Sequence, residues 1–104
     1  MDVYDALADP TRREIVTMLA ARDRTAGDIA GQFEIAGPSV SRHLRVLRES
    51  GLVSFRQAAQ SRVYRLETGA LDEARQWMAA QLDVLHARFD RLGAHLDRMK
   101  ERGD

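Results

Sequence analysis

Six arginines, Arg42, Arg45, Arg48, Arg56, Arg62 and Arg65, stand between residues 38 and 65 against one acid, Glu49. A guanidinium offers a planar fork of donors that matches two acceptors at once, on a phosphate or on the edge of a guanine. The first three arginines share a stretch that opens with the hydroxyl residues Ser39 and Ser41 and contains His43. The chemistry this pattern offers is recognition of a polyanion, not bond making. No nucleophile, base and orienting group can be assembled from the other residues, and no glycine-rich phosphate loop follows a strand. An enzyme is therefore not expected. Cysteine is absent, which removes disulfides, thiolate metal sites and thiol redox sensing together.

The overall charge is zero, but it is unevenly spread. Residues 1–37 hold four basic and seven acidic groups, residues 38–65 six and one, and residues 66–104 six and eight, so a block of +5 sits between flanks of −3 and −2. That is the footprint expected for nucleic acid on a neutral protein; a solvated arginine-rich face gives the same count. At 104 residues, with 44% apolar and 31% charged residues, the chain has the composition of one soluble globular domain. Its apolar runs are too short to span a membrane, and the first four residues lack the basic and apolar regions of a signal peptide. A cytoplasmic location is expected.

The elements that must position the arginines follow from caps and stripes. Val3, Tyr4 and Leu7 share a face of a short first helix. Asp9-Pro10 supplies an N-cap and a proline at the first helical position of a second, with Ile15, Val16, Met18 and Leu19 inside and an end near Ala21. Arg22-Asp23-Arg24 reads as a polar link. Thr25-Ala26-Gly27-Asp28 reads as a reciprocal capping box opening a third helix that buries Ile29, Ala30 and Phe33. After a turn at residues 35–37, a fourth helix buries Val40, Leu44 and Leu47 at i, i+4 and i+7, and Gly51 stops it. Ser39, Arg42, His43 and Arg45 lie off that stripe. Leu52, Val53 and Phe55, then Val63, Tyr64 and Leu66, form a β-hairpin. Its tip, residues 57–61, has no glycine or proline, so a loop longer than two residues is expected.

From about Gly69 to Arg102 there is no proline, and Met78, Leu82, Leu85, Phe89, Leu92, Leu96 and Met99 repeat in 4-3 spacing, a heptad seam. Such a helix is about 50 Å long, more than a domain of this size can cover. Each wet Leu or Phe forfeits ~1.5–3 kcal/mol, so a second copy of the chain is the expected cover. The expected dimer interface comprises Val3, Tyr4, Leu7, Met78, Leu82, Leu85, Phe89, Leu92 and Leu96. Trp77 is read as core or dimer contact. The predicted architecture is mainly α with a small β-hairpin: a winged helix-turn-helix with a long C-terminal helix, a single domain over residues 1–104. Residues 1–68 form the core with its wing and 69–102 the dimerisation helix.

The runs ALADPTRREIVTML (6–19), TAGDIAGQF (25–33) and GPSVSRHLRVLRESGLV (37–53) resemble the ArsR/SmtB family of bacterial repressors. Within it the chain looks most like cysteine-free autorepressors near the toxin-immunity regulators. The resemblance covers most of residues 3–66. It implies a cytoplasmic homodimer that binds double-stranded DNA at a palindromic operator and represses transcription, with autoregulation. Ser39, Ser41, Arg42 and His43 match the family's recognition-helix motif. Arg42 is the leading base reader, since its fork spans O6 and N7 of guanine. Ser39 and Ser41 suit phosphates or a base edge, and Arg45 suits the backbone. Arg48 is read as a DNA contact or a solvated ion-pair residue, His43 as a phosphate contact or a structural histidine. Arg56 and Arg62 flank the wing tip and could reach the minor groove, with Arg65 beside them on the outer face. For Arg12 and Arg13, phosphate contact and structural support both stand.

Many relatives bind a metal through a Cys-x-Cys pair in the third helix; Ile29-Ala30-Gly31 stands there and holds no ligand. Others use Asp and His across paired terminal helices, but His86 and His95 fall on opposite faces. Asp83, His86 and Asp90 do share a face, as a surface cluster or a weak metal site. No cofactor and no tight metal site are expected. Alternative readings are a metal- or small-molecule-responsive repressor, whose unidentified inducer would sit in an apolar pocket between dimer helices, and a winged-helix protein-interaction module.

Overall fold

The computed structural model describes residues 2–102. It divides into two compact units with a boundary after Ala74. In chain order the elements are α1 (Val3–Leu7), α2 (Pro10–Ala21), β1 (Arg24–Thr25), α3 (Ala26–Ala30), α4 (Gly37–Glu49), β2 (Val53–Ala58), β3 (Ser61–Leu66) and α5 (Thr68–Glu101). The fold class is as expected, mainly α with a small antiparallel sheet and a long last helix. The sheet has three strands, not two, in the order β1-β3-β2. The extra strand comes from the stretch read as a polar link: Arg24 pairs with Tyr64 and Thr25 with Val63. Two residues carry no periodicity, and their strand character comes from the partner.

Local chemistry fixes the helix ends. The Asp9 carboxylate accepts the Arg12 amide at 3.0 Å and caps α2, with Pro10 at the first turn. Thr25 Oγ1 accepts the Asp28 amide at 3.1 Å. Only that half of the predicted capping box forms among the described residues; Thr25 is also the end of β1. α3 is shorter than expected and Phe33 lies beyond it, because Gln32 and Phe33 donate to Ile29 and Ala30 and close the helix in tight turns. α4 ends in a Schellman motif: Leu52 N donates to Leu47 O and Gly51 N to Arg48 O, both at 3.0 Å, and Gly51 takes the left-handed φ of +83° that this reversal requires.

The hairpin corrects another expectation. Ala58 pairs with Ser61, so only Ala59 and Gln60 form the tip. Ala59 adopts φ +55°, the left-handed conformation that two-residue hairpins demand and glycine usually provides. The 12-residue register of β2 on β3 outweighs a local cost in this short turn.

The first unit is built around Ala6, Ile15, Met18, Leu19, Ile29, Val40, Leu44, Leu47, Leu52, Val53 and Tyr64, all buried. Val3 and Leu7, expected in a dimer interface, are half-buried and pack on this core, whereas Tyr4 is exposed. The unit extends past the expected boundary at residue 68, because Ala70 and Leu71 pack on the core and Ala74 is buried. In the second unit, residues 75–102, the seam side chains Met78, Leu82, Leu85, Phe89, Leu92, Leu96 and Met99 are all exposed. Among the described residues no helix is long and apolar enough to cross a membrane.

Candidate nucleic-acid interface

With Val40, Leu44 and Leu47 turned inward, α4 presents Ser41, Arg45 and Arg48 at i, i+4 and i+7 as a stripe along one flank, with Arg42 next to it. These four side chains line an open groove of about 750 Å³ together with Pro38, Leu44, Ala26, Arg62 and Tyr64. The groove joins the recognition helix to the inner face of the hairpin.

Which hairpin arginine reaches the groove is decided by register. Gln57 pairs with Arg62, Phe55 with Tyr64 and Val53 with Leu66 on one face, while Arg56 pairs with Val63 and Ser54 with Arg65 on the other. Arg62 therefore faces α4, and its guanidinium carbon lies 4.4 Å from the centre of the Phe55 ring. Arg48 reaches the same ring from α4 at 5.3 Å. Phe55 is itself held by a tilted contact with Tyr64, ring centres 5.5 Å apart. The expectation that Arg65 joins Arg56 and Arg62 on one outer face is corrected: Arg56 and Arg65 share a face, and Arg62 occupies the other.

The two outer arginines have carboxylate partners. Arg56 meets Asp23 at 3.5 Å, and Arg65 meets Glu67 at 3.2 Å, the same carboxylate that accepts from Ser54. Among the described residues Arg42, Arg45, Arg48 and Arg62 have no carboxylate partner. The positive block thus separates into a neutralised outer face and an unneutralised groove.

His43 leaves the α4 surface by the opposite flank. Its Nδ1 lies 3.3 Å from Arg12 Nη1 and 4.0 Å from the Asp9 carboxylate. Arg12 also donates to the carbonyls of Ala6 at 2.7 Å and Asp5 at 3.1 Å, and Arg13 donates to Leu7 O at 2.9 Å. These bonds tie the end of α1 to the start of α2, and the contacts of Arg12 and Asp9 with His43 tie both to α4. Ser39 sits half-buried in the first turn of α4, outside the groove lining. Arg48, the residue the sequence left least assigned, is brought into the site; its i+7 spacing from Ser41 was the available signal. Asp83, His86 and Asp90 lie exposed on the second unit, and among the described residues no group of three potential ligands converges on a metal position.

A buried core of four helices, a hairpin register that turns one arginine inward, and cations without carboxylate partners along an exposed flank are the features of a DNA-binding winged helix-turn-helix. The pattern described as "Bacterial regulatory protein, arsR family" matches residues 9–54. The chain is 42% identical over 77 residues to the transcriptional repressor SdpR of Bacillus subtilis (strain 168), covering 74% of this chain and 86% of that one. It is 34% identical to the arsenic resistance transcriptional regulator ArsR1 of Pseudomonas putida, over 98% of this chain and 78% of that one. A solved structure described as a possible transcriptional regulator for arsenical resistance superposes with a TM-score of 0.72 at 35% identity, covering 84% of this chain and 95% of that one. The chain belongs to the ArsR family: it is a DNA-binding transcriptional repressor, not an enzyme.

Proposed function

We propose that this protein acts in the cytoplasm as a homodimer on a palindromic operator, including that of its own operon, with one α4 in each of two major grooves about one helical turn, ~34 Å, apart. The observation that carries this is the sorting of the arginines. The four without carboxylates line the groove beside α4, and those on the far face of the hairpin are already neutralised. Arg42 reads a guanine edge, Ser41 and Arg45 hold the backbone, and Ser39 supports the entry of the helix. The bare seam of the second unit is the adhesive between copies, with Tyr4 of α1 adding to the contact. Neutral overall charge with a local cationic groove makes binding steeply salt-dependent.

A gel shift with the promoter of its own operon against a scrambled duplex, combined with the mass of the complex in solution, tests the reading. Two chains per operator and preference over the scrambled duplex are expected; equal affinity for both duplexes, or one chain per site, overturns it.

A further inference from the structure

Arg48 and Arg62 come from different elements, yet their guanidinium carbons lie 5.3 and 4.4 Å from the centre of one ring, that of Phe55. Those distances keep the two cations within ~10 Å of each other, about one screening length at 0.1 M salt. The position of Arg48 in the last turn of α4 suits the helix dipole, but no such field holds Arg62. Each cation gains from the ring face, and together they repel. Asp23 and Glu67 engage Arg56 and Arg65 on the other face of the hairpin, and among the described residues no carboxylate pairs with Arg48 or Arg62. Both guanidiniums border the groove that also carries Ser41, Arg42 and Arg45. Two forks on one ring without an internal anion, both bordering a groove that opens to solvent, fit an oxygen-rich anion supplied from outside.

We propose that Arg48 and Arg62, gathered over Phe55, form a clamp for a single backbone phosphate of the bound DNA. This rests on the DNA-binding reading above and sharpens it. Arg62 belongs to the recognition-helix groove and positions the duplex against α4 instead of probing the minor groove at the hairpin tip. The clamp carries no base preference. Because the ring and the strand register hold Arg62 before DNA arrives, the hairpin fixes how deep α4 sits through one phosphate.

The test measures binding of the full chain and its Arg48→Ala, Arg62→Ala and doubly substituted variants to promoter and scrambled duplexes across a salt series. One shared phosphate per half-site predicts that the double variant loses about 0.9 per bound chain, about 1.8 for the dimer, in the slope of log K against log salt, with non-additive single effects and an unchanged promoter-to-scrambled ratio. A promoter duplex series with one neutral methylphosphonate at each backbone position supplies the second readout. One position per half-site should weaken the native protein and leave the double variant indifferent. A slope loss near zero or near two phosphates per bound chain, a changed promoter-to-scrambled ratio, or identical methylphosphonate profiles for native and double variant would overturn the clamp. Native protein that binds promoter and scrambled DNA equally would instead strike the operator-recognition reading, and the clamp would then stand or fall on the slope and the methylphosphonate profile. Native protein that binds no duplex would remove both.

Discussion

α4 and the C-terminal part of α5 are both amphipathic helices, and their apolar stripes meet different fates. Val40, Leu44 and Leu47 on α4 retain 2, 3 and 0% of their accessible surface, whereas Leu82, Phe89 and Leu92 on the rod retain 52, 55 and 54%. The side chains are of the same kind, and the free energy of hiding each is of the same order, ~1.5–3 kcal/mol. A stripe in a sequence therefore states that a face must be covered, without saying whether the cover is the same chain or another copy. The contrast extends to the proposed function, in which the self-covered helix turns its free flank to DNA and the bare one joins two copies.

Breaking the uncovered stripe should have the largest effect. Phe89→Asp or Leu85→Asp is expected to abolish self-association in sedimentation and, with it, operator binding, while the melting of the first unit stays unchanged, as befits an exposed position. A variant that binds operator as a monomer would dissolve the contrast. Breaking the covered stripe costs stability first: Leu47→Ala should remove about 2–5 kcal/mol in urea unfolding, and a loss below ~1 kcal/mol would mean that the α4 stripe is not core. Next comes the free flank of α4. Arg42→Ala should cost ~1–3 kcal/mol of operator affinity and relax preference at one base per half-site, with unfolding unaffected; unchanged discrimination would take base reading from Arg42.

The smallest effect concerns the support behind α4. Asp9→Ala should lose about 1 kcal/mol by removing the α2 cap. The Asp9 carboxyl is held below its ordinary pKa, first by the hydrogen bond from the Arg12 amide, with burial opposing and the charges of His43 and Arg12 adding to the lowering. A lowered folded-state pKa means that this stabilisation is present above the ordinary carboxylate range and lost as pH falls through the folded value. The stability gap between native protein and Asp9→Ala, followed by denaturation at several pH values, should close on acidification; a gap that widens would contradict the sign.

The same distinction between local and distant causes explains what the sequence disclosed. Asp9-Pro10, the Val40-Leu44-Leu47 stripe and Gly51 are local signals, and α2 and α4 begin and end where those signals place them. That Ser41, Arg42 and Arg45 border one groove is legible because helical spacing fixes their flank. β1 was not legible, since two residues acquire strand character only from β3. The tight tip was missed because Ala59 accepts a left-handed φ that its own chemistry disfavours. The face of Arg62 depends on strand register, which the expected longer loop left undetermined. The engagement of His43 with Arg12 spans 31 positions, beyond any local pattern.

The reversal at Gly51 has a consequence for how such a protein can change its target. The chain leaves α4 through two short backbone bonds and is already in β2 at Val53, so there is no hinge between the probing helix and the ribbon beside it. The two cannot be re-aimed separately. New target preferences must come from exchanging side chains on a fixed frame, and an inserted residue at that junction would disturb both at once.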